Sequence, residues 1–296
     1  MNKGKRVKDK HEKKDKEKLD KEKIVEEVKK ENNNDNEEKK ENKKEKKEKG
    51  KGKGKGSKKN VILIIIIIIF IIAIIVSGFF IFKWMTENKK TEEILDVVSE
   101  SINIDEADTM NFDVNFENLK KLNDDIVAYI KVKNTSIDYP VVQCGDNDYY
   151  ITHSLDKSSN SAGWIFADYK NKFDTTDKNI VLYGHNRRDG TMFRTLRNAL
   201  EEEWYTNPEN QEITFVTENE KNKYQIFSIY IIENEDYYIT TEFSKNEFKN
   251  FLKTIKSRSI HDFGVELNED DQILTLSTCD NNNKYRLALH AKKIVE

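Results

Sequence analysis

The sequence predicts a mainly β protein: a closed eight-stranded barrel with N-terminal helices and one helix inserted between late strands, preceded by a single transmembrane helix. Three observations lead to this fold. A block of residues without charge stands in the first third of the chain, eight short β-rich runs follow it, and two segments with helical spacing interrupt those runs.

Charge is divided unevenly along the 296-residue chain. Residues 1–60 hold 25 Lys or Arg and 15 Asp or Glu, residues 61–82 hold none, and the other 214 residues hold 26 basic and 39 acidic side chains. The formal net charge of −3 thus combines a cationic tail with an anionic body, which excludes nucleic-acid binding by the whole protein. Residues 1–60 contain too few apolar side chains to form a core, so this tail is predicted to be disordered.

The uncharged block, residues 61–82, is predicted to anchor the chain in a membrane. As a helix it would span about 33 Å, slightly more than the hydrocarbon core of a bilayer. A signal peptide has a shorter apolar region of about 7 to 15 residues and ends in a cleavage site of small residues, whereas this block ends in FFIFKW. Residues 40–60 carry 11 Lys or Arg and residues 83–102 carry three, so the N-terminus is predicted to be cytoplasmic and the body extracellular.

Helical spacing after the anchor predicts two helices, at residues 91–104 and 116–129. The β-rich runs that follow are residues 130–132, 139–143, 163–166, 179–183, 212–216, 224–232, 272–278 and 285–291. A sheet of so many short strands is expected to close on itself, because closure removes exposed edges. Helical patterns at residues 192–204 and 244–259 interrupt the strands. The predicted domains are the tail (1–60), the anchor (61–82), a helical extracytoplasmic linker (83–115) and the folded body (116–296).

The two cysteines, Cys144 and Cys279, are candidates for a disulfide or for a reactive thiol. Cys279 ends the apolar run 272–278 and precedes the polar loop DNNNK. A thiol at the exit of a strand lies at a rim, where a substrate can approach a thiolate. From spacing alone, a catalytic and a structural role are equally supported for Cys279.

A histidine and an arginine are also predicted to lie close to strand ends, as Cys279 does. His185 follows the apolar strand 179–183 and precedes a loop rich in turn residues, so it can meet Cys279 across the barrel mouth. Arg286 follows Cys279 on the far side of a predicted hairpin, where a guanidinium can stabilise negative charge on a carbonyl oxygen or form a surface salt bridge. The other histidines are predicted to be solvated, at positions 11 and 261, or partly buried and hydrogen-bonded, as His153 and His290.

Six short motifs lie along the body: DYPVVQ (138–143), NDYY (147–150), GWIFAD (163–168), YGHN (183–186), GTMF (190–193) and TLSTC (275–279). Together they resemble the class B sortases, membrane-anchored cysteine transpeptidases of Gram-positive bacteria. The resemblance extends from about Phe116 to Lys293. TLSTC with a downstream arginine and an upstream Gly-His pair is specific in combination, and the Met-Phe pair points to class B. The resemblance implies a sortase-type barrel as the catalytic domain at residues 116–296.

The resemblance also implies roles for individual residues. Cys279 would be the nucleophile, His185 the general acid and base, and Arg286 the cation that stabilises the oxyanion or orients the substrate. The residues that look like walls of the peptide groove are Asn147, Ile151, Tyr238, Ile239 and Ser277. Six residues separate Cys279 from Arg286, fewer than in several relatives, so the loop that borders the groove is expected to be short. Cys144 has no role in the family, and a disulfide would inactivate Cys279.

The implied reaction cleaves a C-terminal sorting signal of surface proteins through a cysteine thioester and transfers the protein to an amine of peptidoglycan or of its lipid-linked precursor. The implied enzyme belongs to the peptide-bond hydrolase class and uses no cofactor, no metal and no nucleic acid. Two alternatives remain open: a cell-wall cysteine hydrolase, and a non-catalytic membrane-tethered binding barrel in which Cys279 is structural. In papain-like wall peptidases the cysteine precedes the histidine, whereas here His185 precedes Cys279.

Overall fold

The computed structural model describes residues 56–105, 107–233, 235–280 and 284–295, and for residues 56–59, 279 and 280 it describes the backbone alone. The tail predicted to be disordered lies outside the described residues as far as residue 55. The chain divides into two compact units, Met1–Lys89 and Lys90–Glu296.

The first unit contains most of the long helix α1 (Gly56–Ser99). Its stretch Asn60–Ser99 is long and apolar enough to cross a membrane. The uncharged block at residues 61–82 lies entirely within α1, and its large apolar side chains are exposed. This helix is therefore a candidate membrane anchor.

The second unit begins with residues 90–99 of α1, which contribute to its core through Val98. Asn160 Nδ2 donates to the Thr91 hydroxyl over 3.1 Å, and both side chains are buried. The helix predicted over residues 91–104 ends at Ser99, and the next residues pair as an antiparallel ribbon of β1 (Ile102–Ile104) and β2 (Phe112–Val114). This part of the helix prediction is wrong, because residues 102–104 find a strand partner in β2.

The body is the closed eight-stranded barrel that the sequence predicts. Its strands are β3 (Ile126–Val132), β4 (Asp138–Val142), β5 (Phe166–Ala167), β6 (Asn179–Gly184), β7 (Glu212–Thr217), β8 (Lys221–Glu233), β9 (Ile273–Asp280) and β10 (Tyr285–Lys293). They close in the order β10-β8-β7-β3-β4-β5-β6-β9. The β4–β5 and β6–β9 pairs are parallel, so β6 and β9 end at the same side of the barrel.

Two other predicted helices differ from the structure. The helix predicted over residues 116–129 ends early, as α2 (Phe116–Leu122), because Asn123 is extended and its buried amide donates to the Tyr150 hydroxyl and the Leu155 carbonyl. Residues 192–204 form a 3-10 turn (Arg194–Leu200) and the short helix α3 (Glu202–Tyr205). Met192 has a φ of 55°, which is incompatible with the start of a right-handed helix.

The helix predicted between the late strands is α4 (Lys245–Arg258), and it covers the outside of the barrel. Ser244 begins it with a capping box, in which its N–H donates to Glu247. Its buried residues form one outer cluster with barrel residues such as Ile273 and Ala288. Leu274 and Leu276, which alternate with Ile273 along β9, lie instead in the inner core. Every second residue of β9 therefore faces α4 and the surface beside it.

Candidate active site

Seven of the eight residues that the sequence predicts for the site line one cleft of the second unit, with a volume of about 390 Å³. They are Asn147, Ile151, His185, Tyr238, Ile239, Ser277 and Arg286. The eighth, Cys279, is described by its backbone alone, and its neighbour Thr278 lines the same cleft. The structure thus brings together positions that are up to 139 residues apart in the sequence, from 147 to 286, whereas the roles of these residues remain predictions.

The β9–β10 hairpin brings Arg286 to the end of β9. In the antiparallel register Arg286 is paired directly with Cys279, and Tyr285 is paired with Asp280. Residues 281–284 join the two strands, so the connection is short, and residues 281–283 lie outside the described residues. The Arg286 side chain is half-buried, lines the cleft and donates from Nη1 to the Tyr285 carbonyl over 3.2 Å. The hairpin register therefore fixes a cation beside the cysteine position.

Parallel pairing of β6 with β9 brings His185 to the same edge of the barrel. Gly184, the last residue of β6, pairs with Thr278, so His185 and Cys279 directly follow the paired positions on the two strands. The His185 ring is half-buried, and its Nε2 lies 2.8 Å from the Ile151 carbonyl oxygen. Because a carbonyl only accepts, this nitrogen carries a hydrogen.

Two glycines leave room for this arrangement. Gly163 has a φ of 57°, and a Cβ there would stand 2.5 and 2.6 Å from the carbonyl oxygens of Tyr150 and Ile151 and 3.0 Å from the His185 ring. A Cβ at Gly184 would stand 2.8 Å from the Phe193 ring. Side chains at these positions would displace the turn that contacts His185, or the backbone that precedes it.

The first wall of the cleft consists of Asn147 and Ile151, and a buried carboxylate, that of Asp168, holds Asn147. Asn147 Nδ2 donates to Asp168 Oδ2 over 2.9 Å, and its Oδ1 accepts from the Tyr169 N–H over 3.1 Å. The Tyr183 hydroxyl donates to the same Asp168 oxygen over 2.8 Å. Burial and the Asp168 charge raise the pKa of Tyr183. The Asn147 amide is therefore fixed in one orientation beside the cleft.

The second wall consists of Asp236, Tyr238 and Ile239, and its core is a 3-10 turn, Tyr237–Ile239. Tyr238 is buried, and its hydroxyl lies 2.9 Å from the Ser277 hydroxyl on β9. This contact ties the second wall to β9, the strand that carries Cys279.

Sequence reasoning missed several residues of the cleft. They are Trp164, Phe166, Tyr183, Gly184, Asp236 and Thr278. The aromatic residues of the GWIFAD and YGHN motifs were a usable signal, whereas no pattern in the sequence marks Asp236. Thr278 is buried, and its hydroxyl has no hydrogen-bond partner in the part of the chain that the structure describes. The cleft therefore combines an aromatic surface with a few polar groups.

Neither a disulfide at Cys144 nor a metal cluster is found in the described part of the chain. Cys144 is a free, half-buried thiol, and burial raises its pKa. Its Sγ lies 3.4 Å from the Asp146 carbonyl oxygen. Among the described residues, no group of three or more His, Cys, Asp or Glu could hold a metal ion.

The second unit is thus a closed mixed barrel that brings the positions of Cys279, Arg286 and His185 to one edge. The Sortase domain model matches residues 130–294. The chain belongs to the sortase family, and its relatives assign it to class B.

The chain is 36% identical to sortase B of Listeria monocytogenes over 238 residues, which are 75% of this chain and 95% of the relative. The X-ray structure of Clostridium perfringens sortase B is 38% identical, with a TM-score of 0.57, and the match covers 61% of this chain and all of that one. A Staphylococcus aureus sortase B–substrate complex is 34% identical, with a TM-score of 0.57, over 60% of this chain and 84% of that one.

Proposed function

We propose that the chain is a membrane-anchored transpeptidase that cleaves a C-terminal sorting signal through a Cys279 thioester and transfers the surface protein to an amine of peptidoglycan or its lipid-linked precursor. The observation that carries this proposal is the direct pairing of Cys279 with Arg286 beside the cleft that His185 lines. A volume of about 390 Å³ is within the usual range of ligand sites and suits a short peptide segment.

In the first half of the reaction, the Cys279 thiolate attacks the carbonyl carbon of the scissile peptide bond and a C–S bond forms. The carbonyl oxygen takes the negative charge, which the Arg286 guanidinium stabilises. The C–N bond then breaks as the His185 imidazolium donates its proton to the departing amine. A thioester and a neutral imidazole remain.

In the second half, the acceptor amine attacks the thioester carbon, and Arg286 stabilises the same oxyanion. Neutral His185 takes a proton from the amine, and the C–S bond breaks to release the thiolate. The product contains a new amide bond, and both Cys279 and His185 return to their starting charges. One amide replaces another, so no external energy source is needed.

The contact between His185 and Ile151 supports a specific atom for proton transfer. Because Nε2 donates to the Ile151 carbonyl, it keeps its hydrogen in both charge states of the ring. The proton exchanged with the substrate amines is therefore the one on Nδ1. Ile151 also lines the first wall, so one residue joins the acid and base to the substrate groove.

Both walls suit an extended peptide. They present one oriented amide at Asn147, apolar surface at Ile151 and Ile239, and hydroxyl groups from β9. The substrate in the Staphylococcus aureus sortase B complex supports a peptide in the same role here. The sorting-signal segment is proposed to lie between the two walls with its scissile carbonyl toward Cys279 and Arg286.

The proposed location is the cell membrane, with the N-terminus in the cytoplasm and the catalytic domain outside. The candidate anchor at Asn60–Ser99 and the excess of Lys and Arg before it support this orientation. Both proposed substrates, the surface protein and the wall precursor, are then on the side of the catalytic domain.

The experiment that tests this function incubates the full-length chain in detergent micelles with a library of sorting-signal peptides, with and without triglycine as amine acceptor. Mass spectrometry is expected to detect a peptide adduct on Cys279 and an amine-linked product. A free acid as the only product, with the acceptor present, would identify a hydrolase. Neither adduct nor product from a folded chain would identify a non-catalytic binding barrel.

A further inference from the structure

A chain of buried polar side chains crosses the outer face of the barrel beneath α4. It runs from Tyr230 on β8 through His290 on β10 and Thr275 on β9 to Asn179 on β6, which are four neighbouring strands. Tyr230 is almost fully buried, and the other three residues are not exposed at all. His290 and Thr275 are direct partners in the register of β9 and β10. None of these four residues lines the cleft.

The hydrogen-bond direction can be derived from the Asn179 end. Asn179 Nδ2 donates to two carbonyl oxygens, that of Tyr238 over 3.3 Å and that of Thr240 over 2.9 Å. The amide oxygen Oδ1 must then accept, and the Thr275 hydroxyl donates to it over 2.7 Å. Because that hydroxyl has a single hydrogen, its oxygen accepts from His290 Nδ1 over 2.8 Å.

His290 continues the chain in the same direction. Burial lowers the pKa of His290 to about 3, so the ring is neutral near pH 7 and its one N–H is at Nδ1. Its Nε2 therefore accepts, and the Tyr230 hydroxyl donates to it over 2.9 Å. The Tyr230 oxygen in turn accepts from the Tyr237 hydroxyl over 2.8 Å. Every donor in this hydrogen-bond network thus faces an acceptor.

Both ends of this hydrogen-bond network meet the same short segment, residues 237–240. One end is the Tyr237 hydroxyl, and the other is the pair of carbonyl oxygens of Tyr238 and Thr240. This segment contains the turn Tyr237–Ile239, which is the core of the second wall of the cleft. The network therefore closes on the wall rather than ending in the barrel.

We propose that His290, with Tyr230, Thr275 and Asn179, is a positioning residue for the second wall and sets the affinity of the cleft for the donor peptide. This proposal rests on the proposed transpeptidase function. His290 suits the position because a neutral imidazole donates at one edge and accepts at the other. An apolar side chain would leave the Tyr230 donor and the Thr275 acceptor without partners, and an imidazolium would present a second donor to Tyr230.

The sharpest test uses substitutions that each remove one hydroxyl. Tyr237→Phe removes the terminal donor of the network from a half-buried side chain, and Tyr230→Phe breaks the network at its centre. The matched control is Tyr224→Phe on the same strand. It removes the hydroxyl of a buried side chain, which donates to Gln272 Oε1 over 3.0 Å, and Tyr224 does not line the cleft. The full-length chain in detergent micelles is used throughout, with the peptide that gives most adduct in the library.

Tyr237→Phe and Tyr230→Phe are each expected to raise KM for that peptide roughly 3- to 10-fold, with a smaller change in kcat, because each loses one hydrogen bond that holds the wall. Tyr224→Phe is expected to leave KM unchanged, even if it lowers the melting temperature as much as Tyr230→Phe does. Equal KM values in Tyr230→Phe and the control would overturn the positioning role.

Two further measurements do not require enzymatic turnover, so they separate this proposal from the proposed function. Amide hydrogen exchange in a peptide covering residues 237–240 is expected to be faster in Tyr230→Phe than in Tyr224→Phe. Nitrogen-15 spectra of the histidine-labelled chain are expected to show His290 as the neutral Nδ1–H tautomer at pH 7. Unchanged exchange, an Nε2–H tautomer or a charged ring would each overturn the network, whether or not the chain forms an adduct.

Discussion

Arg286 is the cross-strand partner of Cys279 in the antiparallel ladder of β9 and β10. Directly opposed residues share one face of a sheet, and a register shift of one residue would move Arg286 to the other face. The pairing of Tyr285 with Asp280 closes the ladder and fixes this register. The proposed nucleophile and its cation are thus placed by backbone hydrogen bonds.

The two cysteines provide the first prediction. Cys279→Ala is expected to abolish adduct formation with little change in melting temperature, because a thiol at a strand end contributes little packing. Cys144→Ala is expected to retain most activity, since Cys144 is a free thiol and lines no part of the cleft. Adduct mass and peptide turnover measure both variants, and equal loss in the two would reject Cys279 as the nucleophile.

The second prediction concerns Gly163. Gly163→Ala is expected to lower the unfolding free energy by at least about 1 to 2 kcal/mol, because an L-residue is strained at positive φ, and its Cβ would also press on two carbonyl oxygens. Turnover is expected to fall further than stability explains, since one of those oxygens accepts from His185. Gly145→Ala is the control, because a Cβ there meets nothing within 4 Å. Denaturant unfolding that ranks the two variants alike would contradict this account.

The third prediction concerns where the folded body begins. Val98 and Phe112 are buried in the main core, and Lys90 lies 2.7 Å from the Asp156 carboxylate. A chain of residues 90–296 is therefore expected to unfold cooperatively without the anchor. A chain of residues 116–296 lacks both apolar side chains, and each loss of a large buried side chain costs about 2 to 5 kcal/mol. Thermal unfolding of the shorter chain at or above the temperature of the longer one would contradict this boundary.

Most strands of the barrel could be predicted because their apolar runs are short and bounded by turn residues. The run predicted at residues 163–166 overlaps β5 (Phe166–Ala167) only at Phe166. The helix predicted over residues 116–129 was wrong in its second half. Ile126 and Tyr129 fit the spacing of a helix, but they equally fit a strand buried on both faces, which is what β3 is. The walls of the cleft depend on contacts that a sequence pattern does not contain, such as Asn147 with Asp168. His290 was predicted to be partly buried and hydrogen-bonded. Its hydrogen bonds are confirmed, but the side chain is fully buried, and its connection to the second wall required the structure.

The fourth prediction concerns stability in acid. Burial lowers the pKa of His290 from 6.5 to about 3, so between these values the unfolded chain binds a proton that the folded chain does not. The unfolding free energy is therefore expected to fall with decreasing pH across this window, by up to about 1.4 kcal/mol per pH unit from this residue. His290→Gln removes this contribution and is expected to give a shallower slope than wild type. Denaturant unfolding between pH 7 and about pH 4 measures the difference in slope. His261→Gln is the control for loss of a histidine. Parallel slopes for wild type and His290→Gln would contradict the prediction.

The last prediction separates charge from geometry at Arg286. Lysine keeps the charge but loses the planar, paired donors of a guanidinium, so Arg286→Lys is not expected to be conservative. Loss of one oxyanion donor typically lowers turnover about 10²- to 10³-fold, or about 2.7 to 4 kcal/mol of barrier. Arg286→Ala is therefore expected to lower kcat at least that far, and Arg286→Lys to recover only part of it.

The split between kcat and KM identifies the step at which Arg286 acts. A loss in kcat with a smaller change in KM means that the contact strengthens in the transition state, whereas a change confined to KM means that Arg286 holds the peptide equally in both states. Arg188→Ala is the control, because Arg188 is exposed on the loop after His185. Wild-type turnover in a folded Arg286→Ala variant would remove Arg286 from the mechanism, and a loss in the control instead would transfer the role to the arginines of the His185 loop.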